Sequence, residues 1–101
     1  MRMTHALVQL AAALMAAPND RHWGYELSKR SGVRSGAMYP RLTQMLEQGW
    51  LVDGWETRKE AGSRPPRRYY TLTTKGRVEL GAVLARAERD QRFHGVNLGF
   101  A

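Results

Sequence analysis

Sixteen Lys and Arg against nine Asp and Glu give this 101-residue chain a formal charge of +7. The excess is concentrated: Arg58, Lys59, Arg64, Arg67 and Arg68 cluster beside one acid, Glu60. Cations this close repel one another and favour an anion between them. Four of the five are Arg, whose planar fork of donors matches phosphate oxygens. A second group comprises Arg34, Ser35, Gly36, Ala37, Tyr39 and Arg41. There Gly36 and Ala37 are small enough for close approach, and Arg41 could reach a guanine edge or a phosphate. Both groups point first to nucleic acid and second to an anionic membrane surface.

Other chemistries lack their residues. Without cysteine there are no disulfides, thiolate zinc sites or thiol nucleophiles, and a reducing, cytoplasmic setting is expected. His5, His22 and His94 are far apart and have no carboxylate at metal-ligand spacing. No Gly-rich phosphate loop, nucleophile elbow or carboxylate pair is present, so neither an enzyme nor a cofactor or metal is expected. The uncharged run from Ala6 to Ala17 is too short to span a bilayer, so no membrane partner is expected. Arg2 ahead of it leaves a signal peptide open, but its helical spacing reads better as core.

With 43% hydrophobic and 25% charged residues the chain is expected to be globular. Leu7, Leu10, Ala11 and Leu14 at i, i+3, i+4 and i+7 predict a helix over about 4–17, capped by Thr4. A short helix over about 22–30 follows, with Trp23 and Leu27 one turn apart and Gly32 at its end. Ser35 is the expected cap of a third helix reaching about Gln48, with Met38, Leu42, Met45 and Leu46 as its apolar face. Pro40 is expected to be tolerated there by lying near the first turn. Aromatic and β-branched residues then predict strands at 50–57 and 68–72, joined by an irregular tip containing Gly62, Pro65 and Pro66. The prolines are expected to leave the tip arginines free. Thr73 or Thr74 caps a last helix to about Arg92, striped by Leu80, Val83, Leu84 and Ala87, and the tail from Phe93 reads as irregular.

This order predicts a mainly α chain with a β-hairpin wing: a winged helix-turn-helix over 1–73, then a C-terminal dimerisation helix at 74–92. All of 1–92 reads as one domain, and 93–101 as tail. In such a unit the third helix enters the major groove, its N-terminal residues face the bases, and the wing reaches a neighbouring groove or backbone. Tyr39, at the edge of the apolar stripe, either packs with its hydroxyl to solvent or touches phosphate.

From His22 to Gly76 the chain resembles the PadR family of transcriptional regulators. Three segments carry the likeness: Gly24-Tyr25-Glu26-Leu27, Gly36-Ala37-Met38-Tyr39-Pro40-Arg41-Leu42, and Arg67-Arg68-Tyr69-Tyr70-Thr71-Leu72-Thr73-Thr74-Lys75-Gly76. The resemblance implies a winged-helix dimer that represses a nearby promoter, from the short branch without a large C-terminal domain. The tip Ala61-Gly62-Ser63-Arg64-Pro65-Pro66 is slightly longer than the Gly-Arg-Pro expected of the family. The resemblance also raises a small apolar effector held between aromatic residues at the dimer interface. Of Trp23, Trp50 and Trp55, the first two are assigned to packing and Trp55 is the least covered.

The last stripe has little left in so short a chain to cover it, and exposed Leu and Val are costly. Leu7, Leu10, Leu14, Leu80, Val83, Leu84 and Ala87 are therefore the expected dimer contacts; the alternative is that the last helix folds back on the first. The leading partner is double-stranded DNA with a near-palindromic operator, bound by a homodimer. A protein-interaction module and a non-specific architectural DNA binder remain as rivals.

Overall fold

The computed structural model describes residues 1–99. In chain order the elements are α1 (His5–Met15), β1 (His22–Trp23), α2 (Gly24–Ser31), α3 (Ser35–Glu47), β2 (Leu51–Trp55), α4 (Arg58–Ala61), β3 (Arg68–Leu72) and α5 (Thr74–Glu88). A 3-10 turn at Gln91–Phe93 follows. β2 and β3 form the wing hairpin, pairing Leu51 with Leu72 and Trp55 with Arg68. β1 adds to the other edge of β3, giving the antiparallel order β1-β3-β2. His22 and Trp23, expected in a helix, are thus a short third strand, because Tyr69 and Tyr70 of β3 offer them open ladder positions.

The α2–α3 turn is tied by side chains. Gly32 closes α2 in the left-handed region (φ 75°), where a side chain would be strained. Ser28 Oγ donates to the Val33 carbonyl (2.7 Å), and Ser31 Oγ accepts from the Val33 amide (3.1 Å). Thr4 caps α1 as expected, accepting from Leu7 N (3.1 Å). On α3 the cap position falls to Arg34, with Ser35 the first helical residue and no side-chain cap bond. Pro40 is the sixth residue of that helix, beyond the first turn, so the expected reason for its tolerance does not hold. Having no N–H, it leaves the Gly36 carbonyl without its helical donor.

α5 is fastened to the start of β2 by a short run. Thr73 caps the helix by accepting from Gly76 N (2.9 Å), and its hydroxyl donates to the Gly49 carbonyl (2.6 Å). The Thr73 amide donates to Trp50 O (3.1 Å). Gly76 lies so close to that carbonyl that an added Cβ would sit 1.9 Å from Trp50 O. Trp50 itself is buried where α3 meets the strand, as expected.

Fastened there, α5 folds back along α1 of the same chain. This corrects the expectation that its stripe lacks cover within the chain. Leu7, Leu10, Leu14, Leu80, Val83, Leu84 and Ala87 all lie in the chain's own core, none more than 7% exposed. The reason is length: α1 alone presents Leu7, Leu10 and Leu14 on one side, enough apolar surface to bury the α5 stripe. Phe93, placed in the tail by its sequence, joins this core at 1% exposure, with the His5 ring 4.9 Å away.

His22 is buried beneath this assembly. Arginine can only donate, so Arg30 Nη2 donates to Nδ1 (2.9 Å), and Nε2–H donates to the Ala17 carbonyl (2.9 Å). Burial lowers its pKa below the ordinary 6.5; Ala17 opposes the shift and Arg30 adds to it. The unfolded chain therefore takes the proton more readily, and His22's contribution to stability, full above pH 6.5, is lost as pH falls below it. Denaturant titrations between pH 7 and 5 should show stability declining in the natural protein and a flatter profile in His22→Gln; parallel profiles would contradict the assignment. Gly76→Ala, although a helix-favouring change, should cost about 1–3 kcal/mol because α5 must shift off Trp50. An unchanged unfolding midpoint would show that α5 does not dock on that carbonyl.

Candidate nucleic-acid interface

The N-terminal turn of α3 is open and carries no acid. Arg34, Ser35 and Gly36 are exposed, and a Cβ at Gly36 would meet nothing. Ala37 is half-buried. An exposed helix start of this kind presents unpaired amides and the positive end of the dipole. Tyr39, 46% exposed, leans on Gly24 of α2, where a Cβ would sit 2.3 Å from its hydroxyl. Arg41 is half-buried and folds back along its own helix, with Nη1 donating to the Ala37 carbonyl (2.8 Å).

The wing tip is more ordered than its sequence suggests. Residues Arg58–Ala61 form α4, closed by a capping box in which Thr57 Oγ1 accepts from Glu60 N and Glu60 accepts from Thr57 N. Glu60 also receives Arg21 Nη1 (2.6 Å), tying α4 to the residue before β1.

The wing arginines are not free, which corrects the expectation built on the prolines. Glu56, just past β2, is 7% exposed. Its two oxygens accept from Arg64 Nη1 and Nη2, the latter at 2.8 Å. Oε1 also accepts from the Arg67 amide (2.9 Å) and, more weakly, from Arg67 Nε (3.4 Å). These bonds hold the carboxyl at about 2, with Arg64 the largest influence and burial opposing it. Arg68 pairs with Asp53 across the strands (2.7 Å). Arg67 Nη1 lies 3.6 Å from Glu26 Oε1. Among the described residues Arg58 and Lys59 make no ion pair, and both are exposed.

Glu56 escapes a reading based on charge runs because the sequence places it in the strand expected at 50–57, whereas β2 ends at Trp55. The signal that finds it is register: with Trp55 opposite Arg68, the next pair outward is Glu56 opposite Arg67.

The helix and the wing meet. Tyr39 of α3 lines one cleft with Arg67, Arg68 and Tyr70 of the wing and with Trp23 and Trp55. Trp23, assigned to packing in the core, is half-buried at this cleft, with the Arg67 guanidinium 4.6 Å from its ring. Arg34, Ser35 and Gly36 begin the helix that carries Tyr39, while Arg58 and Arg64 line a separate hollow at the tip with Pro65 and Pro66. The arrangement can grip a polyanion along a line from the start of α3 to the wing. Among the described residues, no three His, Asp or Glu side chains gather where they could hold a metal ion, and no helix is long and apolar enough to cross a membrane.

The profile of the PadR-like family of transcriptional regulators matches residues 14–82. Among solved structures the chain is similar to a PadR-like transcription factor from Bacteroides fragilis. The two share 26% identity at a TM-score of 0.60, over 79% of this chain and 81% of that one. No curated protein matches the chain. The family match spans the helix-turn-helix, the wing and the first half of α5, and the solved relative shares the fold: the chain belongs to the PadR-like family of transcriptional regulators.

Proposed function

We propose that this protein binds double-stranded DNA sequence-specifically as a homodimer and represses a promoter that overlaps its operator, in the cytoplasm. The observation that carries this reading is the pairing of an open, acid-free start of α3 with a wing whose arginines are fixed beside it. In a dimer, two α3 helices would enter successive major grooves about 34 Å apart on a near-palindromic site. Repression follows from occlusion by a dimer seated across such a site.

Ser35, Gly36 and Ala37 allow the helix to approach the base edges. Arg34 sits at the positive end of α3, where a phosphate would be held. Arg41 leaves its own Ala37 carbonyl to read a guanine edge. Tyr39, Arg58, Lys59, Arg64, Arg67 and Arg68 contact the flanking backbone. The Arg64, Arg67 and Arg68 side chains are themselves 41–45% accessible, although Glu56, which Arg64 and Arg67 share, is buried. The bonds to Glu56 are kept when DNA binds, and the guanidinium donors they leave over can meet phosphate.

A second copy needs a surface other than the buried stripe. On α5, Val78, Ala82 and Ala85 recur at i, i+4 and i+7 on the side away from α1; Val78 is 66% exposed. Small residues there would let two α5 helices come close about a two-fold axis. The last helix is thus still the proposed dimerisation element, through its outer face.

Fluorescence anisotropy on a selected operator and a scrambled duplex at several salt concentrations tests these roles. Arg41→Ala should cost about 1–3 kcal/mol on the operator and relax preference at one base pair; an equal loss on both duplexes would put Arg41 on phosphate. Glu56→Gln should lower the operator-to-scrambled affinity ratio several-fold although the protein becomes more positive; a raised ratio would mean that Glu56 only competes with DNA for the arginines. Val78→Glu should sediment as a folded monomer with an unchanged circular-dichroism spectrum and a melting temperature that no longer rises with protein concentration, whereas a dimer as tight as before would exclude this face of α5.

A further inference from the structure

The cleft between α2, α3 and the wing has a chemistry that DNA contact leaves unexplained. It measures about 300 Å³ and is lined by Trp23, Tyr25, Tyr39, Trp55 and Tyr70, with Glu26, Arg67 and Arg68. Tyr25 and Trp55 are large aromatics left 72% and 63% exposed. Beside them Glu26 Oε2 is withdrawn from solvent and has no hydrogen-bond partner. Because the side chain as a whole is 45% exposed, the carboxylate is short of a donor rather than sealed from water. Its twin Oε1 has only Arg67 Nη1, at 3.6 Å, beyond hydrogen-bond distance.

The group now in the cleft shows what the cleft accepts. The Arg67 guanidinium, a planar delocalised cation, lies 4.6 Å from the centre of Trp23 while its Nη1 faces Glu26. Arg68 lies over Tyr70 (5.1 Å) and Lys29 over Tyr25 (5.4 Å). Among the described residues the rings of Tyr39 and Trp55 have no such cation. The cleft therefore offers free aromatic faces and one carboxylate that its own arginine satisfies poorly. Arg67 is held elsewhere too, through its amide and Nε to Glu56, so its guanidinium cannot close squarely on Glu26.

We propose that this cleft is a binding site for a small planar aromatic cation of the amidinium or guanidinium type. The ligand replaces the Arg67 guanidinium at Trp23 and lays its ring among Tyr39, Tyr25 and Trp55. The Glu26 side chain is 45% exposed, so its carboxylate can turn to give both oxygens to the two N–H donors of the amidinium. The displaced Arg67 side chain keeps its backbone bond to Glu56 and swings to solvent. This site differs in place and in charge from an apolar effector pocket between subunits.

The test uses the DNA-free protein, so its outcome is independent of the DNA-binding reading. Benzamidinium is titrated while the indole N–H signals of Trp23 and Trp55 and the Arg67 Nε–H signal are followed by NMR, with benzamide as the uncharged isostere. Benzamidinium should shift these signals saturably in the millimolar range and benzamide should not. Glu26→Gln should weaken binding at least about tenfold, the scale expected for loss of a charge-assisted pair. Arg67→Ala, which vacates the site, should tighten it several-fold, so the two variants move in opposite directions and a folding defect cannot mimic both. Equal binding of benzamide, unchanged binding in Glu26→Gln, weaker binding in Arg67→Ala, or no saturable shift would each overturn the proposal.

Discussion

One buried carboxylate sets the shape of the wing. Glu56 takes both Nη atoms of Arg64 together with the amide and Nε of Arg67, and so closes the loop between β2 and β3 without long strands. A tip carrying five cations would otherwise spread by repulsion. Satisfied by charged donors, Glu56 stays ionised far below neutral pH, so the clamp holds across the physiological range. Arginines fixed in this way arrive at a polyanion with part of their side-chain entropy already lost, and less remains to be lost on binding.

The rest of the molecule keeps that wing beside α3. Thr73 and Gly76 lock the end of β3 and the start of α5 to Gly49 and Trp50, which join α3 to β2. α5 then runs back along α1 and completes a core within one chain. The helix-turn-helix and the wing are thereby braced from behind by one helix. Any second copy must add to this core from outside, since the inner stripe of α5 is already covered.

Much of this was legible in the sequence. Helical periodicity places α1, α3 and α5, with boundaries shifted by a few residues; Thr4 announces itself as a cap, and the structure chooses Thr73 over Thr74 for α5. The β3 strand, Arg68–Leu72, is found at its observed limits. What was not legible depends on contacts remote in the chain. β1 is two residues long and exists only because β3 has a free edge, so His22 and Trp23 look helical alone. α4 is four residues held by one capping box, too short for any periodicity. Periodicity shows which face of α5 is apolar and not what covers it, so the stripe alone cannot tell α1 of the same chain from a partner. The wing arginines read as free in sequence because Glu56, which neutralises them, lies in the apolar and aromatic stretch expected as a strand and not among the cations. Among the site residues, the exposed start of α3 at Arg34, Ser35 and Gly36 follows from position alone, whereas the folded-back Arg41 does not.

The central claim is that an open helix start and a clamped basic wing together read a particular DNA sequence. Selection from random duplexes, followed by titration of the winner and a scrambled control at two salt concentrations, tests it most directly. A near-palindromic winner, with half-sites about one helical turn apart and far tighter binding than the control, is the predicted result. Equal affinity for both duplexes, or binding to neither, would contradict it.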